Sequence, residues 1–209
     1  MNRRDALQQL GVLALLASPV RLAQGQTESS FRVLRPPVQV YATGKIEVLE
    51  FFQYKCAHCR VFDPLLEQWA KRLPKDVAFS QIPVIWSTPD EGFARLYYTL
   101  LTTKRLDLQE KVFAAVQERK LQINNPVVVR EWAGANKLDV QAFMNVYGSF
   151  GVDTQVRRAK QFVNLYKIKY VPMMAVAGRF LTSAEMAGNS HEAVLKVVDR
   201  LIERVRKGG

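Results

Sequence analysis

The stretch from Ile46 to Leu73 constrains this chain more than any other. Ile46–Phe52 (IEVLEFF) is rich in β-branched and aromatic residues, the pattern of a buried central strand. Gln53-Tyr54-Lys55 follows, then Cys56-Ala57-His58-Cys59. From Cys59 to Leu73 the apolar residues Phe62, Leu65, Leu66, Trp69 and Leu73 recur at helical spacing, with Pro64 inside the helix where it is expected to kink it. Two cysteines three positions apart on the first turn of a helix lie within bridging distance. Backbone N–H groups at that end lack intrahelical acceptors, and the helix dipole is positive there. Both effects favour a thiolate at Cys56, and His58 is placed to add a hydrogen bond or positive charge. Lys55 precedes the pair, although its side chain can equally run out into solvent.

The cysteine pair alone leaves other readings open. An inert structural disulfide is one, with little entropic benefit from so short a loop. Half a zinc site is another, to be completed by His58 and His191, the only histidines in the chain. Chance placement in a core helix is the third. A chain of 209 residues can bury a core without disulfide staples, and two cysteines are too few for a cysteine-rich metal site.

The formal net charge of +11 first suggests a polyanionic partner such as nucleic acid. The amino terminus changes that expectation. Arg3 and Arg4 precede a short apolar run, Leu10 to Ala17, followed by Pro19 and then Ala23-Gln24-Gly25, small residues at the two positions a signal peptidase reads. The run is far below the roughly 20 residues needed to span a bilayer, so residues 1–25 read as a secretory signal peptide cleaved near Gly25. The arginine pair is similar to a twin-arginine signal, but Asp5-Ala6 departs from the usual continuation, which favours the general export route. Cleavage removes Arg3, Arg4, Arg21 and Asp5, a net of +2, and leaves about +9 on an exported protein. Nucleic acid is then not an expected partner, and the cysteines meet an oxidising compartment.

Residues 26–37 read as an extended arm and Val38–Tyr41 as a short edge strand. Val77 to Trp86 reads as a second strand. Helical periodicity follows over Glu91–Leu101, Gln109–Arg119, Val127–Ala135 and Val140–Val146, and a long helix is expected from about Asp153 to Lys167. Met173–Ala177 and Arg179–Thr182 around Gly178 read as a hairpin, and Ser190–Arg206 as a terminal helix. The order predicts an α/β layer fold with an all-helical insertion, divided as a first α/β part over 26–86, an insertion over 87–152 and a second α/β part over 153–209.

Glu50-Phe51-Phe52, then Cys56-Ala57-His58-Cys59, a helical block and Val171-Pro172 more than a hundred residues later resemble the DsbA group of thioredoxin-fold thiol:disulfide oxidoreductases. The resemblance spans about 38–207. It implies a thioredoxin-like fold with the helices inserted. It implies that Cys56 is the exposed nucleophile, Cys59 the buried resolving cysteine and Pro172 a cis-proline facing the disulfide. Val171 would present backbone groups to an extended substrate, and Glu50 would be a buried acid moving a proton to and from Cys59. It implies no cofactor or metal beyond the redox-active Cys56–Cys59 disulfide. Ala57 departs from the group's usual proline, and Gln81 stands where a lysine is often found opposite the acid. His191 reads as a surface residue.

The expected activity is that of a periplasmic dithiol oxidase: reduced exported proteins are its substrates, a membrane quinone-linked reoxidase of the DsbB type recharges it, and it acts as a monomer. A reductase or isomerase of the same fold is the enzymatic alternative, although isomerases of this fold usually carry a dimerisation domain for which 26–37 is too short. A basic relative with dedicated acidic substrates and a binding protein or chaperone with a vestigial disulfide are the others.

Overall fold

The computed structural model describes residues 30–208; the leader and cleavage site expected at 1–25 lie outside them. The described chain runs β1 (Arg32–Val33), β2 (Ile46–Phe52), α1 (Ala57–Ala70), β3 (Val77–Pro83), α2 (Asp90–Thr102), α3 (Gln109–Gln117), α4 (Pro126–Ala135), α5 (Val140–Tyr147), α6 (Phe150–Leu165), β4 (Met173–Val176), β5 (Phe180–Thr182) and α7 (His191–Arg206). A 3-10 turn at Leu106–Leu108 leads into α3.

One sheet carries the architecture, in the order β1-β5-β4-β2-β3. β2 and β3 are parallel, joined through α1, while β4 pairs antiparallel with β2 and with β5. β2 is central, and all but its first residue is buried. Period-2 alternation sends its side chains to opposite faces. Leu49 and Phe51 join the core shared with α2–α6, and Val48 joins the core under α1 and α7. Trp69 on α1 donates its indole N–H to Asp199 on α7 at 2.8 Å, which locks the two helices on that face. α2 to α6 all lie between β3 and β4 in sequence, and α2 and α6 pack against each other beside β3.

Several expected boundaries move. The edge strand is Arg32–Val33, paired with Leu181 and Phe180, and not Val38–Tyr41. Pro36 and Pro37 have no N–H to give, so the ladder breaks after Leu34 and resumes only as the single bond from Val38 N–H to the Gly178 carbonyl. β3 ends at Pro83, three residues short of Trp86. α6 begins at Phe150, because Ser149 caps it by accepting the Val152 N–H; the expected segment boundary at 152/153 therefore falls inside a continuous helix. Gly151 in the first turn hides this start from periodicity.

The β4–β5 hairpin turns at Gly178, which sits at φ +65°, where an added Cβ would lie 2.0 Å from the Val38 carbonyl oxygen. Gly188 at φ +88° has nothing within 4 Å of the same position. Gly188→Ala is expected to cost only left-handed strain, about 1 kcal/mol, and Gly178→Ala at least about 1 kcal/mol more, because the arm must also move. Urea unfolding midpoints measure both; equal losses would mean that the Val38 contact is soft.

Candidate active site

The end of β2 and the start of α1 are held apart by four residues, and Cys56 is the N-cap of α1, in extended conformation. An N-cap side chain normally offers oxygen to the free N–H groups of the first turn. Here the acceptor is sulfur: the Cys59 N–H donates to Cys56 Sγ at 3.3 Å. On its other side the Cys56 thiol donates to the Val171 carbonyl at 3.5 Å. The hydrogen bond with the Cys59 side chain, backbone N–H bonds from Cys59 and His58 and the nearby His58 charge outweigh burial and lower Cys56 to about 6. Cys56 is half-buried, whereas Cys59 is 1% exposed. Burial, first, and then Cys56 and Glu50 push the Cys59 thiol far above the ordinary cysteine range. The two sulfurs of one helical turn are thus chemically unlike, and both are free thiols here.

Glu50 is 1% exposed. Burial raises its carboxyl well above the usual range, Gln81 opposes this, and Asp63 and Cys56 add to it. The neighbour directly across the ladder is Gln81. Its amide nitrogen donates to Glu50 at 2.8 Å and to Asp63 on α1 at 3.0 Å. Gln109, at the start of α3, donates to Asp63 at 2.5 Å and to the Gln81 carbonyl oxygen at 3.2 Å. Two amides therefore hold two carboxyl groups, and no lysine takes part in these bonds. Burial also raises Asp63, against the bonds from Gln81 and Gln109.

The Val171–Pro172 peptide is cis and lies across from Cys56. Beside it opens a cleft of about 350 Å³ lined by His58, Tyr170, Val171, Pro172, Ser183 and His191, among others. His191 is not the plain surface residue expected. Its ring packs 4.8 Å from Phe62 and 6.2 Å from His58, and burial, then the His58 charge, lowers its pKa. Ser190, the N-cap of α7, sets it there. Lys55 is tied to buried Asp90 at 2.6 Å.

All six expected site residues, Glu50, Cys56, His58, Cys59, Val171 and Pro172, thus gather at the carboxyl end of β2 and the amino end of α1. Asp63, Gln109 and Gln117 join them without having been singled out, and so does His191, expected at the surface. Asp63 sits four residues after Cys59, on the same face of α1, and that spacing is the one sequence signal that could have pointed to it.

No protein-family profile matches the chain. The thiol:disulfide interchange protein DsbA of Bordetella pertussis is 40% identical over 198 residues, covering 95% of this chain and 93% of that protein. The DsbA of Pseudomonas aeruginosa is 32% identical over 174 residues, 83% of this chain and 82% of that protein. The crystal structure of Pseudomonas aeruginosa DsbA superposes with a TM-score of 0.81 at 30% identity, covering 86% of this chain and 93% of that one.

Titration of the reduced protein, followed by thiolate ultraviolet absorbance, is expected to show one thiolate with a midpoint of about 6 and none from Cys59 through neutral pH. Cys56 is depressed in the folded state, so the stability it lends the reduced protein is complete above the ordinary cysteine pKa of about 8.5 and disappears as pH falls below the folded value. The denaturation midpoint of the reduced protein relative to the oxidised one should fall across that window. A midpoint near the ordinary value would contradict the N-cap account.

Proposed function

The chain belongs to the DsbA family of thiol:disulfide interchange proteins and is a thiol:disulfide oxidoreductase, and from that premise we propose that it donates a Cys56–Cys59 disulfide to reduced exported proteins in the periplasm. Its thioredoxin-like fold with inserted helices carries the site. The observation that supports the direction of transfer is the Cys59 N–H bond to Cys56 Sγ. It stabilises the reduced, thiolate form, and whatever stabilises that form makes the disulfide a stronger oxidant.

In the proposed reaction a substrate thiolate attacks Cys56 Sγ of the disulfide. The substrate–Cys56 bond forms, the Cys56–Cys59 bond breaks, and Cys59 leaves with the electron pair. Glu50, whose burial raises its carboxyl well above the usual range and so favours the protonated form, gives its proton to Cys59. A second substrate thiolate then attacks the substrate sulfur, and Cys56 departs as a thiolate stabilised at the N-cap. The substrate has lost two electrons and the enzyme has gained them. The Val171 backbone beside Cys56 lines up an extended substrate segment, with His58 and the cleft next to it. A membrane quinone-linked partner of the DsbB type takes the electrons away. The leader at 1–25 directs export and is removed near Gly25, and the enzyme works as a monomer.

Equilibration with glutathione tests the direction. The enzyme is expected to stay reduced in buffers that leave ordinary protein dithiols oxidised; a poise like that of thioredoxin would instead support a reductase. Cys56→Ser should abolish oxidation of reduced substrates, by at least about a thousandfold, whereas retained activity would favour a chaperone.

A further inference from the structure

We propose that Gln117, at the end of α3 in the inserted helices, is a positioning residue for Cys56: its amide holds the carbonyls of Tyr54 and Cys56 and so fixes the backbone that presents the reactive sulfur. This rests on the reading of Cys56 as the nucleophile. The Gln117 side-chain nitrogen donates to the Tyr54 carbonyl at 2.8 Å and to the Cys56 carbonyl at 3.0 Å. An amide nitrogen has two hydrogens, and both are used.

The placement matters because Cys56 has few other restraints. Tyr54 is anchored through its ring, which is 1% exposed and lies 4.9 Å from Phe113, one helical turn before Gln117. The Cys56 sulfur is bonded to the Cys59 N–H and the Val171 carbonyl, but it must be free to react, so the residue's backbone needs an anchor of its own. Its backbone is held by its N–H to Gln53, by Arg60 N–H to its carbonyl, and by Gln117. The inserted helices also reach this turn through Phe93, which meets the Tyr54 ring and the Lys55 ammonium, and through ion pairs, Arg60 with Glu110 and Glu118 and Lys55 with buried Asp90. The Arg60 pairs, whose glutamates are exposed, contribute little. Gln117 is half-buried and bonds directly to the backbone of the nucleophile.

Two consequences follow from removing its donors. The Cys56 peptide gains freedom to leave the extended N-cap conformation on which the Cys59 N–H bond to sulfur depends. The two carbonyl oxygens also lose the donors that offset their negative ends, beside a sulfur that must carry negative charge. Both effects act against the thiolate. Both also act through Cys56 rather than through the stability of the fold, which separates positioning from space filling.

The test compares Gln117→Met, which keeps length and loses both donors, with Gln117→Glu, which keeps shape and replaces donors by acceptors. Thiolate titration and the glutathione equilibrium are measured on the full chain, with melting temperature as the control. Met is expected to raise the Cys56 midpoint by about half to one unit and to make the disulfide about three- to tenfold less oxidising, in the same proportion. Glu should move both further in the same direction. Unchanged midpoint and equilibrium in Met overturn the proposal, whatever the melting temperature does; if Met does not fold, the same unchanged values in Glu overturn it. The wild type separates the premises. A wild-type midpoint at the ordinary cysteine value overturns the nucleophile reading itself, whereas a low wild-type midpoint matched by both variants overturns only the role of Gln117.

Discussion

A hydrogen bond from one cysteine's amide to the other's sulfur organises the rest of the molecule. It exists only if a buried strand ends, the chain turns within four residues and a helix begins with Cys56 as its cap. β2 supplies the first condition because it is central and buried on both faces. The second and third fall to the turn, which holds Cys56 in an extended conformation. Every other group at the site is placed relative to that bond: Val171 on the far side of the sulfur, His58 outward, Cys59 inward.

The same bond separates the two thiols, and the separation needs the interior as well as the helix end. Cys59 is buried beside a carboxyl group that is itself buried, so neither readily holds negative charge alone. Such a pair favours moving one proton between them over carrying two charges. A cation near Glu50 would relieve this by stabilising its carboxylate. Gln81 does not: its amide donates a hydrogen bond but brings no net charge. Asp63, bonded to the same nitrogen, adds a second carboxyl group. The arrangement therefore raises the Glu50 carboxyl, which favours the protonated form from which the proposed proton transfer to Cys59 starts.

Much of this was legible in the chain because it is local. The buried strand, the cysteine spacing, the hairpin at Gly178 and the seven α-helices of the described residues are patterns within about fifteen residues, and periodicity finds them. Glu50 is singled out by the resemblance to the DsbA group, since Glu47 is a second buried charge in the same strand. What stayed hidden depends on tertiary pairing. Gln81 is expected opposite Glu50 from the resemblance and is found there, but Asp63 and Gln109 come from two helices that no spacing brings together. His191 looks like any residue opening a helix until α7 packs against α1 and brings it beside Phe62 and His58. The arm is a different case: within its described part, 30–37, the strand is Arg32–Val33, ahead of Pro36 and Pro37.

The site also depends on two segments that are remote in sequence, the turn at Cys56 and the peptide at Val171–Pro172, meeting across a sulfur. Between them lies the whole helical block, and a block of that length might be expected to let them drift. Closing a longer loop adds little entropy cost, so length itself is no obstacle. What matters is how the block is fastened at its base. Trp86, just past β3, donates its indole N–H to the Ile168 carbonyl at 3.0 Å, joining the point where the chain leaves the sheet to the point just before it returns. Asp90 adds a second fastening, accepting from Trp86 N–H, Ser87 N–H and Lys55 at once. Entry, exit and the residue before the nucleophile are thereby tied to one another, and the inserted helices act as a brace on the active-site turn.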